Sequence, residues 1–235
     1  MATKSIIFYT DNRHDQNITS LVQQQLLKSG LTIVSCSLKP INFGQNIVLD
    51  LAPSPTTMFK QILTALKASK STYIFFCEHD VLYHPTHFDF TPISPNIFYF
   101  NTNVWRWDYS GSKVITYDHF RSVSGICVGR DKAINHYEKR LELIFKNGWD
   151  KIAGRNPKWD RTIGYEPGKP RRNGGFSEDP IDEWRSKYPN IDIRHQRTIT
   201  PIKMTLESFR HKPTGWRESV FKDIDGWDES DTSYH

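Results

Sequence analysis

Glu78, His79 and Asp80 end the apolar run Tyr73-Ile74-Phe75-Phe76-Cys77. Five buried-type residues running straight into acid, imidazole and acid need a reason, because such side chains are costly to desolvate unpaired. At the C-terminal end of a strand they reach the crevice where open α/β sheets bind ligands. A spacing of two on a strand sends Glu78 and Asp80 to the same side. Two hard oxygen ligands there suit Mg or Mn beside a nucleotide diphosphate. The competing reading is a solvated strand end before the turn at Pro85.

The chain order supplies the elements that must position these groups. Residues 5–9 read as a buried strand that stops at the polar loop Thr10-Asp11-Asn12-Arg13. Ile18, Leu21, Val22, Leu26 and Leu27 then recur at helical spacing, and Gly30 closes the helix. A second strand, 31–38, completes a strand–helix–strand unit, the sign of a parallel sheet. After a loop over 39–55, Thr56 or Thr57 is placed to cap a helix with Met58, Phe59, Ile62, Leu63 and Leu66 on one face. The acid-ended strand follows.

Beyond Asp80 the rhythm changes. Residues 96–101 and 113–117 read as strands around a 105–111 loop. Residues 122–128 read as another strand, whose internal Gly125 marks a close approach of ligand or backbone. Asp131 is placed to cap a helix through Ile134, Tyr137, Leu141 and Ile144, ended by Gly148. Asp179-Pro180 reads as a cap opening a short helix to Tyr188. Ile191 and Ile193 alternate with polar residues in a strand that delivers His195, and a last apolar helix is expected over 204–209.

Composition bounds the class. A chain of 235 residues suits one large α/β domain. No apolar run approaches the ~18 residues of a membrane span, and the start has no signal-peptide layout, so a soluble cytoplasmic protein without a membrane partner is expected. Cys36, Cys77 and Cys127 are odd in number and sit in apolar settings, so they read as reduced core thiols. The net charge of +5 is partly local. Arg155, Lys158, Arg161, Lys169, Arg171 and Arg172 share one segment rich in Gly and Pro, a loop suited to phosphates of a donor or of nucleic acid. Seven Trp and ten Tyr, several beside charge, suit stacking on sugars or bases.

A strand entering Thr10-Asp11-Asn12-Arg13, a helix before a hydrophobic strand, and then Glu78-His79-Asp80 resembles the nucleotide-sugar half of a GT-A glycosyltransferase, family-2-like. The resemblance implies an α/β fold, GT-A-like (Rossmann-like, nucleotide-binding), with a mixed, mainly parallel sheet flanked by helices. It implies one catalytic domain over residues 1–200, with a nucleotide-sugar half (1–100) and an acceptor half (101–200), and a C-terminal extension over 201–235. Thr10, Asp11, Asn12 and Arg13 would cradle the nucleobase and ribose. Glu78 and Asp80 would hold a divalent metal, Mn or Mg, on the donor diphosphate, with His79 beside them in the donor site. The family motif is usually Asp-X-Asp, so Glu78 departs from it. A late histidine often reaches the metal in this family, and His195, carried past the sheet edge by a short strand, is the candidate third ligand. His79 and His84 are expected to orient the site. The base that takes the acceptor proton is expected at Asp179, which follows Gly174-Gly175, or at Glu166 in Gly164-Tyr165-Glu166-Pro167-Gly168. Asn103 and Trp105 are expected to touch donor sugar or acceptor.

The function expected is therefore metal-dependent transfer of a sugar from a nucleotide-sugar donor to a hydroxyl. By analogy with phage-type base modifiers, one candidate acceptor is a hydroxymethylated base in DNA, with Arg155, Lys169, Arg171 and Arg172 on the polyanion; a glycan, a lipid-linked acceptor and a protein stay open. Two alternatives stand beside this reading. A nucleotidyltransferase would need a basic Gly-rich signature near the first strand, which residues 10–15 lack. A non-catalytic nucleic-acid-binding protein draws on the basic loop and the aromatics, but leaves the acid-ended strand unexplained.

Overall fold

The computed structural model describes residues 2–13, 15–148, 165–168, 177–195, 198 and 202–228. Seven strands form one sheet: β1 (Lys4–Thr10), β2 (Thr32–Ser37), β3 (Gln45–Val48), β4 (Tyr73–Glu78), β6 (Phe98–Asn101), β9 (Ile126–Gly129) and β10 (Ile181–Trp184). Their order is β10-β6-β9-β4-β1-β2-β3. β3, β2, β1 and β4 are mutually parallel, β9 runs antiparallel between β4 and β6, and β10 is parallel to β6. A second sheet has the order β12-β8-β7-β11-β5 and is built from β5 (Val81–Leu82), β7 (Val104–Asp108), β8 (Lys113–Thr116), β11 (Asn190–Arg194) and β12 (Arg217–Val220). The expected mixed, mainly parallel α/β sheet is present.

Alternation along β1 shows how the layers stack. Ile6 and Phe8 enter a core shared with Ile18, Leu21, Val22 and Leu26 of helix α1 (Gln16–Leu27) and with Leu82, Trp107, Ile191 and Ile193 of the second sheet. Ile7 and Tyr9 enter the opposite core, against Phe59, Ile62 and Leu66 of α2 (Pro55–Ala68) and Tyr137, Leu141 and Ile144 of α3 (Arg130–Lys146). With both faces covered, the strand reads as a continuous apolar run. Cys36, Cys77 and Cys127 are buried and free, as expected. Among the described residues no helix is long and apolar enough to cross a membrane.

Several local expectations are corrected. The cap of α2 is Ser54, whose side chain accepts from the Thr57 amide, and Pro55 takes the first helical turn. Gly129 precedes α3, and Asp131 sits within its first turn. The segment 105–111 is not all loop, because β7 runs through it to Asp108. Gly125 lies in a 3₁₀ turn, and the close approach there is to backbone: a Cβ would meet the Asn101 carbonyl at 3.1 Å. Asp179-Pro180 opens no helix. Ile181–Trp184 pairs with β6 as a strand, so sheet pairing overrides the cap signal. The apolar stretch near 204–209 forms only a short 3₁₀ turn. Phe221, Ile224 and Trp227 join the core and β12 pairs with β8, which builds the C-terminal stretch into the second sheet.

Candidate active site

The strand order reverses between β1 and β4. The chain passes outward from β1 to β2 and β3, then returns to lay β4 on the other side of β1. The C-terminal ends of β1 and β4 therefore flank the switch point, where ligands of open α/β sheets bind. Tyr9 is in register with Glu78 across it, and the Tyr9 hydroxyl donates to Glu78 Oε1 at 2.7 Å.

Past Glu78 the strand ends, and His79 and Asp80 turn into β5. Strand periodicity does not place Asp80, which lies in a turn, yet its charge raises the Glu78 carboxyl, so the two acids remain neighbours. Pairing with the second sheet decides its place instead. Val81 lies opposite Asp192 and Leu82 opposite Ile191, and the Ile193 amide donates to the Asp80 carbonyl at 2.8 Å. That ladder brings His195, just past β11, to the acid turn. Asp80 Oδ2 lies 3.8 Å from Nε2 of His195 and 3.8 Å from Nε2 of His79. Both separations exceed hydrogen-bond length. All three side chains are largely buried, between 11% and 14% exposed.

Glu78 differs from its neighbours. Burial, then the nearby Asp80, pushes its carboxyl up to about 8, against the opposing hydrogen bond from Tyr9. Its amide donates to the Tyr83 hydroxyl at 2.9 Å. Among the described residues no three His, Cys, Asp or Glu side chains converge as closely as a formed metal site requires. The donor chemistry nonetheless fits a hard or borderline divalent ion, with a carboxylate and imidazole nitrogens facing one another.

The first loop is well organised. Thr10 is buried, and its hydroxyl accepts from the Asn12 amide at 3.1 Å. Asn12 takes a left-handed φ of 59°, and its Oδ1 accepts from the Leu38 and Lys39 amides at 2.8 and 2.9 Å, tying the β1 loop to the end of β2. Gln61, buried on α2, donates to the Thr10 and Cys36 carbonyls at 2.7 and 3.0 Å. Asp11 and Arg13 pair with each other at 2.6 Å on the rim, where the Arg13 side chain is exposed.

Residues that the sequence reading overlooked complete the site. On β11, Asp192 and Arg194 alternate with core Ile191 and Ile193. On β7, Arg106 alternates with Trp105 and Trp107. Asp192 Oδ2 lies 3.4 Å from Arg106 Nε and 3.3 Å from Arg194 Nε. Both guanidiniums are over nine-tenths buried. Arg194 lowers and Asp192 raises the Glu78 carboxyl, so the cluster lies within electrostatic reach of the acid end. The alternating charge in Ile191-Asp192-Ile193-Arg194 was the available signal; for Arg106 it was masked by reading 105–111 as loop.

Other expected residues are placed elsewhere. Asp179 is not at the switch point. Ile181 pairs with Phe98, and Tyr99 and Phe75 both pair with Cys127, so Asp179 is level with Thr72, at the opposite edge of the sheet. Six residues at ~3.3 Å each separate that level from Glu78, roughly 20 Å. Its carboxylate is held by Lys132, by Ser177 and by His136 Nδ1 at 2.7 Å. Burial opposes, but these hydrogen bonds prevail and hold the carboxyl well below the usual range. An open cavity of about 460 Å³ lined by Lys132, Lys139, Tyr165, Ser177, Glu178 and Asp179 adjoins this group, away from the acid-ended strand. Glu166 interacts electrostatically with Tyr137, which also feels Glu78. Asn103 is committed to structure, donating to the Ser186 carbonyl at 2.9 Å and accepting from Arg185 at 3.0 Å. Trp105 packs against the core, because β7 sends it to the face opposite Arg106. His84 accepts from the Thr86 amide at 3.2 Å and packs against Tyr188 and Trp227. Arg155, Lys169, Arg171 and Arg172, with Lys158 and Arg161, lie outside the described residues.

The fold and site thus define an α/β protein with an acid- and histidine-rich switch point. No protein-family model matches the chain. No curated protein matches it either. Among solved structures it is similar to a glycosyltransferase involved in the glycosylation of the major capsid of PBCV-1, at 12% identity and a TM-score of 0.44, over 77% of this chain and 81% of that one. It is also similar to the glycosyltransferase GlyE of Streptococcus pneumoniae TIGR4, at 10% identity and a TM-score of 0.44 over 78% of this chain. The apo form of GlyE gives 11% identity and a TM-score of 0.41 over 75% of this chain. The chain spans a little under half of the GlyE chains, 45% and 46%.

Proposed function

We propose that this protein is a glycosyltransferase that moves a sugar from a nucleotide-sugar donor to a hydroxyl acceptor with the help of a divalent metal, Mn or Mg. The observation that carries the reading is the acid end of β4 at the switch point, with Asp80 facing His195. The Thr10–Arg13 loop, braced by Asn12 and Gln61, would take the nucleoside. Asp80 and His195 would hold the metal, and Glu78 would join them on giving up its proton and its bond from Tyr9. When bound, the metal would supply positive charge to the leaving diphosphate. Arg106 and Arg194 around the single carboxylate of Asp192 add a net positive charge beside the same crevice. His79, in contact range of both Asp80 and the Tyr9 carbonyl, would orient the turn. Glu166 is the carboxylate proposed as base; its carbonyl accepts from the Ser177 amide next to Asp179, and its charge is felt by Tyr137, which also feels Glu78. A hydroxymethylated base in DNA stays a proposed acceptor, supported by the basic residues between 155 and 172.

The test is calorimetry of a panel of nucleoside diphosphates with and without Mn, together with hydrolysis of the corresponding nucleotide sugars. Mn-dependent binding of one diphosphate and slow hydrolysis of its sugar conjugate are expected. No binding and no hydrolysis across the panel would overturn the proposal.

A further inference from the structure

Beyond the crevice, the C-terminal segment lays an aromatic and basic surface on the second sheet. Tyr117, just past β8, stacks on Phe120 with centroids 4.7 Å apart and planes at 10°. Trp216 lies parallel to Tyr117, 6.3 Å away with planes at 4°. Phe209 meets both edge-on, at 5.4 and 5.7 Å. Phe209 and Trp216 are half-buried residues, whereas Phe120 is buried. Buried ring stacks need no ligand; these rings form a ledge.

The charge around the ledge is positive. Residues 202–220 carry Lys203, Arg210, Lys212 and Arg217 against Glu207 and Glu218, and the exposed Asp118 carboxylate lies beside Gly215. Arg210, Lys212 and Arg217 are exposed, and Lys203 Nζ sits 4.9 Å over the Phe209 ring. Glu218 is engaged by Lys113 at 2.9 Å and by Trp216 Nε1 at 3.0 Å, so its charge is offset. The ledge is also continuous with the crevice. Arg106 sits 4.8 Å over the Phe120 ring, and it shares Asp192 with Arg194.

Neutral sugars would use the rings and leave the cations idle. A ring-free polyanion would use the cations and leave the rings idle. A nucleic-acid strand uses both, with bases on aromatic faces and phosphates on Lys and Arg. We propose that the surface of Phe209, Trp216, Arg210, Lys212 and Arg217 binds a single-stranded nucleic acid. Its role in presenting an acceptor base to the crevice rests on the transferase reading above; the binding itself does not.

The experiment titrates the full chain with a fluorescent dodecamer of thymidylate at several salt concentrations. Binding that weakens steeply with salt is expected, since each neutralised phosphate of a single strand contributes ~0.7 to the log–log slope. Reversing Arg210, Lys212 and Arg217 to Glu should flatten that slope by about 2. Trp216→Ala should weaken binding about tenfold or more, while Trp216→Phe should restore most of it, because any π-face serves. Lys70→Glu, exposed and remote from this surface, should change nothing. Absence of oligonucleotide binding would overturn the inference. So would equal weakening by Lys70→Glu, or heparin binding as tightly as the oligonucleotide with no effect of Trp216→Ala. Donor hydrolysis by the unaltered chain, without any oligonucleotide, reports on the transferase reading alone.

Discussion

At the residue scale, the site depends on a few side chains whose neighbours decide their chemistry. Asp80→Asn and His195→Ala are each expected to weaken Mn-dependent nucleoside diphosphate binding by at least about tenfold, the scale seen for losing even an outer partner of a metal site. Calorimetry reads this directly, and an unchanged circular dichroism spectrum shows that the fold survived. A variant that keeps full Mn-dependent affinity would remove that residue from the ligand set. His87 offers a separate test. Its Nδ1 accepts from the Asn101 and Asn190 amides at 2.9 and 3.0 Å, and burial lowers its pKa to about 3. The unfolded chain therefore binds a proton near pH 6.5 that the folded chain refuses until about pH 3. Stability from this group is present above pH 6.5 and falls as pH drops toward 3, by about 1.4 kcal/mol per unit at most. His87→Gln, which keeps an acceptor without titrating, should flatten the dependence of unfolding free energy on pH over that interval. Urea melts at four pH values would show whether it does.

At the element scale, Gln61 clamps the ends of β1 and β2 through two backbone carbonyls. Gln61→Leu keeps the volume roughly but strands both acceptors, at a cost of about 1–3 kcal/mol each where no water replaces the donor. Lower stability in denaturant is expected, together with weaker nucleoside binding, because the Thr10–Arg13 loop loses its brace. A variant as stable as the parent would show that Gln61 is not a clamp. The Asn12 bonds to Leu38 and Lys39 act on the same loop from its outer side, so the two contacts should couple in a double-mutant cycle.

At the scale of the whole molecule, the two sheets share one core, and the chain's last described stretch closes it. Phe221 is buried and meets Trp107 at 4.7 Å, and Trp227 Nε1 donates to the Pro189 carbonyl at 2.8 Å. Phe221→Ala is expected to cost about 3–5 kcal/mol, the usual range for emptying an aromatic site. Removing residues 203–235 should therefore yield unfolded or aggregated protein rather than a trimmed catalytic domain. A truncated chain that melts cooperatively near the parent temperature would show the C-terminal segment to be dispensable.

The strand–helix–strand opening, the buried run into Glu78 and the delivery of His195 were legible in the sequence, because each rests on local periodicity and on polarity that burial would punish. The reduced cysteines were legible for the same reason. What local patterns could not carry was pairing across the chain. The cap signal at Asp179-Pro180 is sound chemistry, yet hydrogen bonding to β6 makes the following residues a strand and sends Asp179 to the far edge of the sheet. Trp105-Arg106-Trp107-Asp108 reads as loop until β11 and β8 pair with it and sort its aromatics from its arginine. The acid and histidine types of the site were set by the sequence alone. Their meeting was decided by the antiparallel pairing of two-residue β5 with β11, because only a nonlocal ladder can bring residues 80 and 195 within 3.8 Å.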